Sequence, residues 1–445
     1  MRITTRHIIL FLLCCVPLLC GAQTFELPQG KKLVKLKFQL INNLVIVPMQ
    51  VNGSELSFIL DSGVSKPLLF NISDQDSVQI NHASEITIRG LGQGKSVKAL
   101  SSHGNFFKMG EVRNHDQSLY VVLDRDLNFS PSLGIPVHGI IGYELFRDFV
   151  VELNYSTRTL KLHDPKHYVP KKNRKSAVIP ISVVGKKAYV TGDVVLQNEK
   201  EVPVNLLVDT GSSDALWLFP DEEKGLGVPE KNYEDYLGKG LNGTIYGKRT
   251  KVKGFSLANF TLLDAKAAFP YMESFNAIKH LGDRNGSIGG EILKRFNMVV
   301  NYHNNTITLR KNGNFKAPFQ YNRSGIELQH AGMRYIAERI ADSRGVVQNE
   351  DRDFGTVQIL LENKTRLSLV PEIIVSGIRA GSPADLAGLK EGDLILSVNG
   401  KEVHNHKIQE ITQMLNEKAG KRIKLRIERY NSDLLFSFVI KKVFE

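Results

Sequence analysis

The chain has 445 residues, with 58 Lys or Arg against 46 Asp or Glu, a formal net charge of +12. That length allows several domains with substantial cores. The basic residues are spread rather than blocked, and no phosphate loop, dinucleotide fingerprint or nucleic-acid motif appears, so the excess charge is read as aiding solubility or a mild attraction to anionic envelope surfaces.

The N-terminus, "MRITTRHIILFLLCCVPLLCGAQ", places Arg2 and Arg6 before an apolar run from Ile8 to Leu19, followed by the small residues Gly21 and Ala22. This succession predicts a signal peptide over residues 1–22, cleaved before Gln23. The run is shorter than a membrane span needs, and bulky Leu19 occupies the small position of a lipobox at Cys20. The expected destination is export to the periplasm or cell envelope, or secretion, with no membrane span once the leader is gone. Cys14, Cys15 and Cys20 all lie in the leader, so the mature chain would carry no disulfide and no thiolate metal site.

Alternating strand patterns broken by turns follow, as in "KLVKLKFQLINNLVIVPMQVNG". Phe58-Ile59-Leu60 then run into Asp61-Ser62-Gly63, a carboxylate delivered at the end of a buried strand. Burying an unpaired charge costs several kcal/mol or more, so this Asp needs a partner. A Gly-rich "RGLGQGK" containing Gly92 and Gly94 comes next, then "GIIGYELFRDFVVELNYSTRTLKL". His163 to Pro180 is basic, bounded by prolines, and reads as a connector. Its His163 and His167 are read as a surface pair rather than zinc ligands, since Pro165 and Pro170 argue against a helix.

The pattern then recurs. Leu206-Leu207-Val208 lead into Asp209-Thr210-Gly211, "KGLNGTIYGK" carries Gly243 and Tyr246, and "GSIGGEILKRFNMVVNYHNNTITL" aligns without a gap on its counterpart at an offset of 147. Asp61 and Asp209 lie 148 apart. The chain therefore holds two similar halves, each offering one Asp on a turn. A pseudo-twofold axis would bring the turns together, and two carboxylates so close share one proton.

The C-terminal part differs. In "IRAGSPADLAGLKEGDLILSVNGKEV", Ser382 caps a short helix beginning at Pro383, Gly388 ends it, and Asn399-Gly400 makes a tight hairpin turn after the strand Leu394–Val398. Ile408, Ile411 and Leu415 line one face of a following helix. "ADSRGVVQNEDRDFGTVQ" reads as a polar insertion. Helices are expected to be few, short and mostly in this part.

On these residues the two halves resemble the aspartic proteases, specifically fused retropepsin-type lobes: Asp61-Ser62-Gly63 and Asp209-Thr210-Gly211, paired with Ile140-Ile141-Gly142 and Ser287-Ile288-Gly289. The C-terminal unit resembles a PDZ domain. The resemblance implies a mainly β chain, two pseudo-symmetric lobes over 31–165 and 176–312 and a PDZ-like, partly open β barrel with short helices over 319–445. It implies an exported aspartic endopeptidase, a monomer with no cofactor and no metal, acting on peptide or protein substrates. Asp61 and Asp209 would be catalytic, supported by Ser62, Gly63, Thr210 and Gly211, with flaps at Gly92, Gly94, Gly243 and Tyr246. Backbone amides at Ser324, Gly325 and Ile326 would take a peptide C-terminus. The sequence departs from the protease pattern at Val64, where Ala or Ser is usual, and carries Lys66 five residues after Asp61, its head expected in water. A catalytically impaired protease-fold scaffold that binds peptides through its PDZ domain is the alternative.

Overall fold

The computed structural model describes residues 23–72, 77–171, 173–276, 282–348 and 357–444, side chains of 339–348 and 357–364 excepted. The expected leader and its cysteines lie outside the described residues. No helix among the described residues is long and apolar enough to cross a membrane.

Each half folds into an eight-stranded sheet, and the two sheets share one strand order. In the first, Leu44–Val51 pairs with Ser54–Leu60, which lies parallel to Gly139–Ile141, with Leu68–Leu69 antiparallel on its far side. In the second, Lys187–Val195 pairs with Glu201–Val208, which lies parallel to Gly286–Ile288, flanked by Leu216–Leu218. Leu60 and Val208 are thus the last residues of buried strands, and the chain turns sharply at the following Asp. The short Ile-Gly strands pass under these turns. At Gly142 any Cβ would overlap the carbonyl oxygen of Asp61, so only glycine allows that approach.

A third sheet joins the halves. Its six strands run Leu33–Lys37, Thr159–His163, Val150–Asn154, Phe296–Asn301, Thr306–Lys311 and Ser176–Pro180. The pseudo-twofold lies at its centre, where Glu152 pairs antiparallel with its repeat equivalent Val299. The stretch read as a connector therefore ends in a strand of this sheet. Its histidines are occupied by carboxylates, His163 by Glu152 at 3.1 Å and His167 by Asp164 at 2.8 Å, and no metal-binding group is present among the described residues. One apolar core spans both lobes, from Phe25 to Phe319, wider at each end than the alternating pattern implied.

The C-terminal sheet runs Ile326–Gln348, Val357–Ile378, Leu394–Val398, Arg422–Arg429 and Ser432–Val439. Its own core takes in Ile408, Ile411 and Leu415 from one helix face, as the spacing predicts. Ser382 Oγ accepts the Asp385 amide at 3.3 Å, and Asn399 and Gly400 take φ of 52° and 79°, the left-handed pair of a tight hairpin. The expected polar insertion belongs largely to two long strands that pair from Ile326 with Ile378 out to Gln348 with Val357. Residues 349–356 lie outside the described residues. The helices are short, but Ser130–Leu133, Tyr143–Asp148 and Gly290–Leu293 lie in the lobes rather than in the C-terminal part.

The C-terminal unit packs on both lobes. Gln409 Nε2 donates to the Leu133 carbonyl at 2.9 Å, Arg379 stacks over the Tyr233 ring at 4.4 Å, and Phe444 meets Tyr233 and Tyr321 edge-on or tilted.

Leu153 is fully buried in the joining sheet opposite Met298. Leu153→Ala is expected to cost about 2–5 kcal/mol. Calorimetry should show both lobes melting together at a lower temperature; a low-temperature transition confined to one lobe would show that the sheet does not couple them.

Candidate active site

The two Asp turns meet at the pseudo-twofold axis and lock each other. Ser62 Oγ donates to the Val208 carbonyl at 2.6 Å and accepts the Thr210 amide at 3.1 Å. Reciprocally, Thr210 Oγ1 donates to the Leu60 carbonyl at 2.7 Å and accepts the Ser62 amide at 2.9 Å. Both hydroxyls are buried. Each turn is closed from within, as the Gly63 amide donates to Asp61 Oδ1 at 2.6 Å and the Gly211 amide to Asp209 Oδ1 at 3.1 Å. The amides of Asp61 and Asp209 donate to Ile141 and Ile288 at 2.8 and 3.0 Å. A Cβ at Gly211 would collide with the Asp61 carboxylate, so the opposite carboxylate fills the space a side chain would take.

The carboxylates face each other, partly open to a cleft. Asp61 is pushed up to about 8, first by burial and then by the charge of Asp209. Asp209 is also raised by burial, but Arg284, a hydrogen bond from Asp61 and Lys187 pull it back. The pair behaves as two crowded acids that cannot both ionise.

Val64 fills the place of Ser212 without loss of the turn. Its amide donates to the Asp61 carbonyl at 3.3 Å and its carbonyl accepts the Tyr143 amide at 3.3 Å; Ser212 makes the same bonds to Asp209 and Gly290. The turn needs this residue's backbone, and a valine provides it. Lys66 does not reach the dyad. Its Nζ lies 4.3 Å from the centre of the Tyr120 ring, half-buried rather than extended into water, and burial lowers its pKa.

The glycine-rich tips expected as flaps meet each other across the two lobes. The tip around Gly92 and Gly94 meets the hairpin Tyr233–Gly240/Gly243–Leu257 at Asn242. The Gly94 amide donates to the Asn242 carbonyl at 2.7 Å, and the Asn242 amide to the Leu91 carbonyl at 2.8 Å. The Asn242 side chain accepts from Gly90 and donates to the Lys95 carbonyl. At Gly92, with φ of 120°, a Cβ would clash with the Asn242 backbone. Tyr246 lines the cleft beside Tyr236, their rings 6.2 Å apart.

Below the flaps lies a cavity of about 2150 Å³. It runs from the dyad to the groove between the strand beginning at Ile326 and the helix Ile408–Leu415. The expected amide nest at the end of that groove is occupied from within. Asn416 Oδ1 accepts the amides of Arg323 and Ser324 at 2.6 and 3.0 Å, Asn322 Oδ1 accepts that of Gly325 at 2.9 Å, and Ser324 Oγ accepts that of Ile326 at 3.2 Å. Ser324 itself is fully buried. The polar neighbours Asn322 and Asn416 thus satisfy the loop's donors.

Three features escaped the sequence reading. Asn242 clasps the flaps. Lys187 and Arg284 line the cavity beside the dyad. Under the second turn lies a buried ionic group in which Asp214 binds Arg249 at 2.8 Å and Lys266 at 3.2 Å, Lys266 also binds Glu291, and Arg249 binds Asp235 at 2.7 Å. Burial alone would raise Asp214, yet Arg249 and Lys266 override it and hold it well below the ordinary range. One signal was present in the sequence for part of this: Lys187, Arg284 and Lys266 stand where the other half of the repeat has Leu44, Val137 and Leu119.

A family model described as aspartyl protease matches residues 47–145 and 190–290, one stretch in each lobe. A PDZ domain model matches residues 374–429. The two lobes are aspartyl protease domains, and the C-terminal unit is a PDZ domain. The chain is also 42% identical over 57 residues to the carboxy-terminal processing protease CtpA of Bacillus subtilis. That match covers 13% of this chain and 12% of the relative.

The reciprocal grip is open to a direct test. Ser62→Ala leaves the Val208 carbonyl and the Thr210 amide buried without partners, each costing about 1–3 kcal/mol. Thermal melting should drop by several degrees, whereas an unchanged melting temperature would mean the hydroxyls do not hold the lobes in register.

Proposed function

We propose that this chain is an exported aspartic endopeptidase whose PDZ domain presents peptide or protein substrates to the cleft. The observation that carries the reading is the coupled pair Asp61 and Asp209, held face to face by mirrored hydroxyl bonds under two flaps. Such a lock positions two acids with little freedom, as a proton-sharing mechanism requires.

The charge environment supports a division of roles. Lys187 favours the ionised form of both acids, but Arg284 acts on Asp209 alone, and the hydrogen bond between the acids raises Asp61 while lowering Asp209. In this reading the shared proton rests on Asp61, the acid farther from the influence of Arg284. Ionised Asp209 takes a proton from a water molecule as the water attacks the peptide carbonyl, and Asp61 donates its proton to the developing oxyanion. Collapse of the tetrahedral intermediate returns a proton to the departing amine.

Export rests on the N-terminal charged, apolar and small-residue succession. The PDZ role rests on the continuity of its groove with the dyad cavity. The amide loop at Ser324, Gly325 and Ile326 would have to release Asn322 or Asn416 before it could hold a peptide carboxylate.

Asp61→Asn and Asp209→Asn are each expected to lower peptide cleavage roughly a thousandfold, with the double variant little worse than either, because the two act as one unit. Wild-type activity should fall as pH rises through about 8, where Asp61 loses its proton. On the acid side it should fall when Asp209 takes a second proton, at a pH above an ordinary aspartate's range. The optimum would then lie nearer neutrality than acid. Steady-state kinetics on a peptide library across pH would check both; full activity in Asp61→Asn would remove the dyad mechanism, and absence of cleavage at every pH would favour the peptide-binding scaffold.

A further inference from the structure

The two lobes have one backbone but opposite linings next to the dyad. The strand pairing Ile46 with Ile59 in the first lobe corresponds to that pairing Tyr189 with Leu207 in the second, each ending two residues before its Asp. Two residues earlier on the leading strands, Leu44 corresponds to Lys187. The parallel pairs Phe58 with Gly139 and Leu206 with Gly286 place Val137 opposite Arg284 in the same way. Both first-lobe positions are buried and apolar; both second-lobe positions are cationic.

Lys187 and Arg284 line the cavity and lie close enough to the dyad and to each other to be felt electrostatically. Arg284 is only 8% exposed. Its Nε donates to the Gly286 carbonyl at 2.9 Å and its guanidinium lies 5.2 Å from the centre of the Phe219 ring. Among the described residues neither cation meets a carboxylate within ion-pair distance. Nearby acids in the cavity are engaged elsewhere: Asp235 by Arg249, Glu327 by Asn322, and Glu234 by the Tyr271 hydroxyl. A dyad sharing one proton carries one negative charge against these two positive ones. The site thus holds an unmatched positive charge in a sheltered cavity, which is costly unless a ligand neutralises it.

We propose that the second-lobe wall of the cleft is a carboxylate-binding subsite, in which Lys187 and Arg284 receive an acidic group of the peptide beside the scissile bond. The group is an Asp or Glu side chain or a chain-terminal carboxylate. The opposite wall, with Leu44, Ile59 and Ile140, takes an apolar side chain. The enzyme would therefore cut between an acidic and an apolar flank. This inference rests on the endopeptidase reading for its cleavage readout, but not for binding.

The test uses the full mature chain and matched peptides carrying Glu, Gln, Leu or Lys at each of the positions flanking the cut, with free and amidated C-termini. A charge-assisted pair should favour Glu over Gln at one position about tenfold or more in kcat/KM. Lys187→Leu, which copies Leu44, should erase most of that preference, and Lys187→Glu should shift it towards Lys. A gap between free and amidated ends, with none between internal Glu and Gln, would identify the chain-terminal carboxylate as the source. Arg284→Gln is informative only if it melts like wild type; Lys187 sits at a half-buried strand position and keeps the test valid alone. Cleavage with neither an acidic nor a free-end preference, or with a preference untouched by Lys187→Leu, overturns the subsite and leaves the endopeptidase standing. If nothing is cleaved, fluorescence anisotropy on the same peptides decides. Tighter Glu than Gln binding, lost in Lys187→Leu, upholds the subsite against the endopeptidase reading, and equal binding overturns both.

Discussion

The crossed hydrogen bonds of Ser62 and Thr210 are the constraint on which the rest of the molecule depends. Each hydroxyl donates to the strand of the opposite lobe and accepts an amide from the opposite turn. Four backbone groups that would otherwise be buried without partners are satisfied only when the lobes are in this one arrangement. The six-stranded joining sheet sets the same axis from the other side, through Glu152 and Val299. Two crowded carboxylates would push the lobes apart if both ionised, and the grip holds them face to face against that repulsion.

Because the backbone holds the symmetry, side chains were free to break it. Beneath the second turn, Asp214, Lys266 and Glu291 form part of a buried ionic network. At the matching places the first lobe has Lys66, Leu119 and Glu144. Lacking a network, Glu144 is pushed up by burial to about 7, and Lys66 turns to the Tyr120 ring. Lys187 and Arg284 replace Leu44 and Val137 in the same fashion. A pseudo-symmetric frame with unlike walls suits a chain substrate, which has direction and unlike residues on either side of any bond.

The PDZ domain is more than an appendage. Its strand from Ile326 and its helix Ile408–Leu415 continue the wall of the cavity that begins at the dyad, and Arg379 lies within 3.9 Å of Asp235 at the edge of the ionic network. Under the proposed function, a peptide held in that groove would lie beside the two Asp turns, which would raise its local concentration there. The internal bonds from Asn322 and Asn416 to the amide loop set what a ligand must displace to settle deeper.

Much of the architecture was legible in the sequence, because repeats and strand ends are local patterns. The doubled Asp turn, the Ile-Gly motifs at nearly one offset, the glycine tips and the Ser382 to Gly400 run each report a backbone need that a few adjacent residues satisfy. What could not be read were relations among residues distant along the chain. The capture of the Ser324 loop depends on Asn416, 92 positions away. Asn242 meets the Gly90 tip across 152 positions. The partnering of Asp214 with Lys266, and the absence of any carboxylate within ion-pair distance of Lys187 or Arg284 among the described residues, follow from which strands the fold makes neighbours. The sequence by itself determined that two Asp turns exist and that each would need a partner. Only the tertiary structure decided which charges surround them, since electrostatic energy depends on distance and burial, and neither is a property of the chain until it folds.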